Sequence, residues 1–408
     1  MDMRGFEAMR ETNGKNSGSV SPHAWRQETE GTFTAEHGSE AGRSPAGEWP
    51  TAGWSTAEPE RMGMDSGMLA DTIRAFRDRG VRSLVVVRAG MLVAEAYGAG
   101  LQPGTPQDVR SVTKSIVSML AGAALADGRL RSVEQRISDF YPELKNDPKT
   151  SQLRIKHLLS MTSGLAWNNA GDHSSIEMMH SEDWVQYILE RPAIHMPGRV
   201  STYSNGDAHL LSAVLQQAVG MPLADYAQAR LFGPLGITDY RWNADPQGIA
   251  IGAWAMALTP RDMAKLGWLY LKGGEWDGAR VLPKKWVRES LQRRIVHHYK
   301  DGRKGGYGYY WWLKPLVPGL TGGDSSKPSP KLEAFYAAGS GGQRIFVIPA
   351  LELVAAFTAE SPDGEMPEEL LNGIVRSIRS ETPLQANPEA ACRLTQAVSS
   401  FKAQPQNV

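Results

Sequence analysis

The chain has 408 residues, a length that allows two domains or one large domain with an insertion. Its formal net charge is zero, and 41% of its residues are hydrophobic. The charge balance argues against nucleic acid or a membrane surface as a partner. The single cysteine, Cys392, excludes an internal disulfide, and no stretch approaches the roughly twenty apolar residues of a membrane span. The first residues lack the apolar core of a signal peptide, so we expect a cytoplasmic protein.

The first part of the chain predicts a disordered segment followed by a helix and a hairpin. Residues 1–50 are rich in Gly, Ser, Glu and Thr and show no periodicity, which is typical of disorder. Met68–Arg79 has a helical pattern. Ser83–Arg88 and Met91–Tyr97 are predicted strands that turn at Ala89-Gly90.

The next predicted helix begins at Ser111-Val112-Thr113-Lys114 and has an apolar face that includes Ile116 and Leu120. A serine and a lysine three residues apart lie one turn apart on the same helix face. If the lysine is buried, it loses part of its preference for the charged form and can accept the serine proton. This spacing suits a serine nucleophile with a lysine base. Ser399-x-x-Lys402 repeats the pattern, which arises roughly once by chance in such a chain.

Residues 132–248 predict a mainly helical insertion, with its clearest helices at Ile155–Leu159, Trp184–Leu189 and Asp207–Val219. Tyr203-Ser204-Asn205 lies just before the last of these. A tyrosine hydroxyl near a lysine can pass a proton to a leaving group, and an asparagine can orient a substrate amide. A half-buried tyrosine followed by an asparagine helix cap is the alternative interpretation.

Residues 51–131 and 249–380 predict one discontinuous α/β (α+β) domain, an antiparallel sheet flanked by helices with the insertion at one edge. Residues 381–408 are interpreted as a polar tail. The predicted elements of the second part are a helix from Thr259-Pro260, an aromatic strand over Gly306–Leu313, a long loop over Val317–Pro330, strands over Arg344–Ile348 and Leu351–Ala359, and a helix over Glu368–Arg379.

Small residues fill Ala337-Ala338-Gly339-Ser340-Gly341-Gly342-Gln343, just before the predicted strand at Arg344. Such residues let the backbone approach a ligand closely. The free N–H groups of an edge strand could then form half of an oxyanion hole. A flexible approach to a hairpin is the alternative interpretation.

Together, the Ser111, Tyr203 and Gly339 strings resemble the motifs of the serine β-lactamase and penicillin-binding protein superfamily, in the same order. Leu158–Leu165 and Leu231–Ile237 are further similar strings. The resemblance spans about Asp65 to Ile378 and implies a β-lactamase/transpeptidase-like fold.

Within that superfamily, the third motif resembles the esterase and 6-aminohexanoate-dimer hydrolase branch. Ala337 and Ala338 stand where β-lactamases carry Lys-Thr, and that lysine holds a substrate carboxylate. Losing a charged hydrogen bond weakens recognition by about tenfold or more. The resemblance therefore favours a small ester or linear amide over a penicillin. A β-lactamase or D-amino-acid peptidase, and a non-catalytic ligand-binding or sensor protein, are the alternative functions.

The resemblance also implies residue roles. Ser111 is the expected nucleophile, Lys114 its base, Tyr203 the proton relay, and Asn205 a group that orients Lys114 or the substrate. The backbone N–H groups of Ser111 and Ser340 are expected to hold the oxyanion. Candidate substrate contacts are Trp167, for which core packing is the alternative, and Gly339, Gly341 and Gln343. We expect no metal and no cofactor.

Overall fold

An eight-stranded antiparallel sheet forms the centre of the computed structural model, which describes residues 49–299, 302–317, 319–320 and 332–401. Its strand order is β2-β1-β13-β12-β11-β10-β9-β8, and smaller sheets join β3-β5-β4 and β6-β7. The strands are β1 Val81–Arg88, β2 Met91–Tyr97, β3 Gln107–Asp108, β4 Tyr240–Trp242, β5 Met256–Leu258, β6 Glu275–Trp276, β7 Ala279–Arg280, β8 Ile295–His298, β9 Lys304–Tyr307, β10 Trp312–Pro315, β11 Glu333–Gly339, β12 Gln343–Ile348 and β13 Leu353–Ala359.

Helices cover both faces of this sheet. They are α1 Ser66–Arg77, α2 Val112–Ala126, α3 Ile155–Leu159, α4 His173–His180, α5 Trp184–Leu189, α6 Asn205–Val219, α7 Leu223–Ala227, α8 Pro260–Leu271, α9 Lys284–Ser290, α10 Met366–Arg376 and α11 Pro388–Phe401. A π-helical turn at Gln228–Phe232 continues α7, and 3-10 turns lie at Pro59–Met62, Ile137–Asp139, Pro142–Asn146, Thr150–Gln152, Ala170–Asp172, Ser340–Gly342 and Pro349–Leu351. The mixed α/β class predicted from the sequence is confirmed.

The central strands are apolar on both faces because helices cover each side. In β1, Val85 and Val87 face the core that contains α2 and α8, whereas Leu84 and Val86 face the core under α1, α10 and α11. The strands β1 and β2 turn at Ala89-Gly90, where both residues have positive φ angles (47° and 83°). This turn agrees with the prediction.

Helix α8 approaches the sheet closely through Gly267. A Cβ atom there would lie 2.7 Å from Val354 Cγ1 and 2.8 Å from Ile345 Cγ2. The absence of a side chain therefore lets the helix lie directly on β12 and β13.

The C-terminal part of the chain differs from the predicted polar tail. Residues 388–401 form α11, which buries Ala390, Leu394, Ala397 and Phe401 and contacts α1 and β2. These four residues recur at helical spacing among charged and polar neighbours, so the segment is amphipathic rather than uniformly polar. Cys392 is exposed on this helix.

Two strands also differ from the prediction. The aromatic run Gly306–Leu313 is not one strand: Tyr310 has a φ of 63°, and the chain turns between β9 and β10, which then pair. The strand β11 leads into the glycine-rich turn and was not predicted. Only β12, the strand after that turn, was predicted. The predicted disordered segment lies outside the described residues except for its last two, and most of the loop at Val317–Pro330 also lies outside them.

No helix among the described residues is both long enough and apolar enough to cross a bilayer.

Candidate active site

Ser111 lies at the N-terminal end of α2 and is partly exposed. The preceding residue, Arg110, has a φ of 52°, and its N–H donates to Asp108 Oδ1 at 2.8 Å. A left-handed conformation is uncommon for a residue other than glycine and needs support from its surroundings. The Asp108 carboxylate provides that support and sets the direction from which the chain enters the helix.

Lys114 is buried, and its Nζ has three polar neighbours. It lies 2.9 Å from Ser111 Oγ, 2.8 Å from Asn205 Oδ1 and 2.7 Å from the Ala253 carbonyl oxygen. Burial holds the pKa of the Lys114 ammonium well below its usual value, and the negative charge of Asp172 opposes this shift. The geometry and the burial both favour a neutral amine.

Asn205 determines how the protons of that amine are arranged. Asn205 Nδ2 donates to Ser175 Oγ at 2.9 Å, so its carbonyl oxygen faces Lys114. The Asn205 and Ala253 oxygens are acceptors only, and a neutral amine has two N–H groups for them. Its lone pair then faces the Ser111 hydroxyl, which donates to it.

Tyr203 lies beside Lys114, with its ring centroid 4.9 Å from Lys114 Nζ. Its hydroxyl lies near the Ser111 side chain. Burial raises the pKa of Tyr203 to about 12. The phenol is therefore protonated at neutral pH and suits a proton donor rather than a base.

The start of α6 positions both Tyr203 and Asn205. Ser204 caps this helix, since its Oγ accepts from the Asp207 N–H at 2.9 Å. Asn169 Nδ2 donates to the Tyr203 carbonyl oxygen. Asn205 was the helix cap in the alternative interpretation of this string, but Ser204 caps the helix and the Asn205 amide contacts Lys114.

The glycine-rich turn approaches the nucleophile from the sheet. A Cβ atom on Gly339 would lie 2.5 Å from the Val109 carbonyl oxygen, so only glycine allows this approach. The strand β11 lies in the interior of the sheet, whereas an edge strand was expected. Its pairing with β10 ends at Tyr336, which lies opposite Trp312. The residues Ala337–Gly339 run past the end of β10 and lead into Ser340.

The two amides that are expected to hold the oxyanion belong to Ser111 and Ser340. The N–H of Ser111 is at a helix N-terminus, where amides have no acceptor within the helix and the dipole favours negative charge. Ser340 is the first residue of the 3-10 turn that follows β11, and it is exposed.

Gln343 is not available as the substrate contact that was expected. Its amide is buried: Nε2 donates to the carbonyl oxygens of Ser340 (2.9 Å) and Ala359 (2.6 Å), and Oε1 accepts from the Ala359 N–H at 2.9 Å. The side chain therefore ties the turn to β13, because a buried amide must satisfy its own hydrogen bonds.

Trp167 is also mainly a core residue, which was the alternative to a role as a substrate contact. It is 9% exposed, and its ring fills the space beside Gly206, where a Cβ would lie 2.4 Å from it. Gly341 is exposed with a φ of 77°, and Gly339 is buried. The structure thus brings together Ser111, Lys114, Tyr203, Asn205 and the Ser340 turn.

Sequence reasoning missed the Ala253 carbonyl and Ser175. A backbone carbonyl has no residue-type signal, and Ser175 contacts Asn205 only because α4 lies beside the start of α6. Among the described residues, no group of three or more His, Cys, Asp or Glu side chains is arranged to hold a metal ion.

Comparisons with known proteins identify the family of the chain. The family model described as Beta-lactamase matches residues 69–379. A 6-aminohexanoate-dimer hydrolase from Paenarthrobacter ureafaciens is 23% identical over 77% of this chain and 83% of its own length. The esterase EstB from Burkholderia gladioli is 28% identical over 48% of this chain and 58% of its own length.

The fold is similar to that of solved structures at low identity. A class C β-lactamase from Rhodobacter sphaeroides superposes with a TM-score of 0.58 at 17% identity, covering 77% of this chain and 99% of that one. The family match spans nearly all of the folded sequence. The chain therefore belongs to the beta-lactamase family of serine hydrolases, within the superfamily of serine β-lactamases and penicillin-binding proteins.

Proposed function

We propose that the protein hydrolyses a small ester or a linear amide through an acyl-enzyme on Ser111. The observation that carries this proposal is the bonding of Lys114, whose two N–H groups have carbonyl acceptors and whose lone pair faces Ser111. A buried neutral amine in this position is a general base ready at neutral pH.

In the acylation step, Ser111 Oγ attacks the substrate carbonyl carbon while its proton passes to Lys114 Nζ. The carbonyl oxygen becomes an oxyanion that accepts hydrogen bonds from the Ser111 and Ser340 amides. Tyr203 donates its proton to the leaving amine or alcohol as the C–N or C–O bond breaks. The proton held by Lys114 returns to Tyr203, so the amine is neutral again.

In the deacylation step, a water molecule takes the place of the leaving group. Lys114 accepts a proton from this water through Tyr203, which takes the water proton and passes its own proton to Nζ as the water oxygen attacks the acyl carbon. The second tetrahedral species then collapses, the bond to Ser111 Oγ breaks, and the serine regains its proton. A carboxylic acid leaves, and no group other than water is consumed.

The third motif supports esters and linear amides over penicillins. Ala337 is fully buried and faces the core beside α2, so the position of the β-lactamase lysine carries no charge here. The names of the two relatives, a 6-aminohexanoate-dimer hydrolase and an esterase, point to the same substrate classes.

A substrate panel tests the proposal. We expect p-nitrophenyl butyrate or a linear aminohexanoate dimer to be hydrolysed faster than nitrocefin and D-alanyl-D-alanine, and a fluorophosphonate to label Ser111. Ser111→Ala should abolish turnover and labelling, whereas Ser399→Ala, at an exposed position of α11, should change neither. Faster turnover of nitrocefin would favour a β-lactamase. Failure to label Ser111 in folded protein would favour a non-catalytic ligand-binding protein.

A further inference from the structure

The two carbonyl acceptors of Lys114 come from different parts of the chain. Asn205 is the first residue of α6, whereas Ala253 lies in residues 245–253, which we call the acceptor loop. These residues belong to no helix or strand. The Ala253 acceptor is a backbone carbonyl, so its position beside Lys114 Nζ depends on how the acceptor loop is held.

One face of α6 holds the acceptor loop. Residues at positions i, i+3, i+4 and i+7 of a helix share a face, and here they are Asn205, Ala208, His209 and Ser212. Ser212 Oγ donates to the Ala250 carbonyl oxygen at 2.6 Å. A Cβ atom on Gly252 would lie 2.2 Å from the Ala208 carbonyl oxygen, so the loop lies directly on the helix backbone.

The third contact on this face is a fully buried pair of polar side chains. His209 Nε2 lies 2.9 Å from Asp245 Oδ2, and both side chains are 0% exposed. The other carboxylate oxygen, Oδ1, accepts from the N–H groups of Gln247 (2.9 Å) and Ile249 (2.8 Å). His209 Nδ1 has no hydrogen-bond partner among the described residues. A neutral imidazole with its proton on Nε2 therefore donates to the loop and leaves no N–H group unpaired.

The acceptor loop is also bonded internally, which connects Asp245 to Ala253. The Asp245 N–H donates to the Ile249 carbonyl oxygen at 2.8 Å, and the Ile251 N–H donates to the Asn243 carbonyl oxygen at 3.0 Å. The Asn243 N–H in turn donates to the Ala255 carbonyl oxygen at 3.1 Å. A displacement at Asp245 is thus transmitted to the residues on both sides of Ala253.

A buried polar pair fixes the loop more strictly than an apolar contact would. Hydrophobic attraction is not directional, so apolar surfaces can shift against each other at little cost. A shift that breaks the bond between His209 and Asp245 leaves a buried carboxylate oxygen without its donor, which costs free energy. The pair therefore favours one position of the loop.

We propose that His209 is a positioning residue for the lysine base. Through Asp245 it holds the acceptor loop where the Ala253 carbonyl accepts one N–H of Lys114 Nζ. Asn205, one turn earlier on the same face of α6, accepts the other N–H. One helix face thus sets both acceptors and directs the amine lone pair to Ser111. The inference rests on the proposed function.

Two substitutions of His209 test the inference. His209→Leu removes the donor, and we expect kcat for p-nitrophenyl butyrate and the rate of fluorophosphonate labelling of Ser111 to fall about tenfold to a hundredfold, because a small misplacement of a catalytic group has effects of this size. KM should stay within about twofold, since His209 does not touch the substrate. His209→Gln keeps an N–H donor for Asp245 and should recover most of both rates.

Gly252→Ala tests the same loop without changing His209. The added Cβ meets a backbone carbonyl, which cannot move aside as a flexible side chain can, so the loop must shift. We expect the same loss of kcat and of labelling rate, again with little change in KM. If His209→Leu does not fold, as judged by urea denaturation, this variant and His209→Gln decide the question.

Phe401→Ala is the control for a loss of stability alone. Phe401 is buried in the core on the opposite face of the sheet, so this variant should be less stable but label Ser111 at the wild-type rate. An equal loss of labelling in Phe401→Ala would overturn the inference, because reduced stability would then explain the effect.

The remaining outcomes separate this inference from the proposed function. Wild-type labelling rates in folded His209→Leu or Gly252→Ala would overturn the inference while ester hydrolysis stands. The same conclusion would follow if His209→Gln were no faster than His209→Leu. If the wild-type protein neither labelled at Ser111 nor hydrolysed any ester, the proposed function would fall and this inference with it.

Discussion

Lys114 illustrates how burial and hydrogen bonds together define the state of one side chain. An ammonium at this position would offer three N–H groups, and Ser111 Oγ would have to accept one of them. Such a serine could not transfer its own proton to the lysine. Burial disfavours that charged state, so the surrounding carbonyls of Asn205 and Ala253 hold the amine in the orientation that proton transfer requires.

The pH dependence of activity should therefore report Lys114. Because the base must be neutral, kcat/KM should fall as the pH drops through the lowered pKa of Lys114, and Tyr203, with a pKa of about 12, should cause no loss at neutral pH. Asn205→Asp places a carboxylate next to Nζ, which favours the ammonium. We expect the acidic limb of the profile to move up by about one unit or more.

The same charge change at the surface is the matched control. Asn146→Asp should leave the profile where it is, since Asn146 is exposed. An acidic limb that does not move in active Asn205→Asp would mean that a group other than Lys114 titrates.

At the scale of elements, α2 is positioned by a close contact with α9. A Cβ on Gly122 would lie 2.1 Å from Trp286 Cδ1, so the indole lies directly against the backbone of the helix that carries Ser111 and Lys114. Glycine costs helix stability by itself, which indicates that the packing requires it here.

Gly122→Ala tests which of these two effects is larger. The alanine gains at most about 1 kcal/mol in helix propensity, while overpacking a buried contact costs about 1–3 kcal/mol. The indole is rigid and buried, so we expect a net loss of about 1–2 kcal/mol in the free energy of unfolding, measured by urea denaturation. Gly104→Ala is the control, because no atom lies within 4 Å of its added Cβ. Equal or higher stability of Gly122→Ala would show that α9 moves away freely.

At the scale of the whole molecule, the sheet separates two cores. One lies between the sheet and the helices that build the active site, and the other lies under α1, α10 and α11. The last helix completes the second core: Phe401 is 1% exposed although it is near the end of the described chain. The C-terminal segment thus contributes to folding at a distance from the site.

Phe401→Ala should lower the free energy of unfolding by about 3 kcal/mol, the lower end of what removing a buried phenylalanine costs. Urea denaturation followed by tryptophan fluorescence measures this change. Cys392→Ser, at an exposed position of the same helix, should have no effect beyond about 0.5 kcal/mol. A loss below about 1 kcal/mol for Phe401→Ala would show that α11 opens without unfolding the rest.

The features that were predicted correctly are those that depend on residues close together in the sequence. The hairpin of β1 and β2 and the helix after Ser111 depend on turn residues and on helical periodicity within a few residues, and both agree with the structure. The proposed boundaries of the helical insertion remain a prediction. The buried face of α11 was not predicted because it consists of only four apolar residues in a polar segment. Their burial depends on the surface of the fold against which the helix packs.

The sequence by itself determined the family, the mixed α/β fold and the helical spacing that sets Lys114 one turn from Ser111, since all of these depend on local patterns. Only the tertiary structure decided the rest. The approach of Ala253 and Asn205 to Lys114 and the hydrogen bonds of Gln343 to Ala359 join residues that are distant in the chain or in different strands. Such contacts arise from packing and strand register, and no local pattern of residues encodes them.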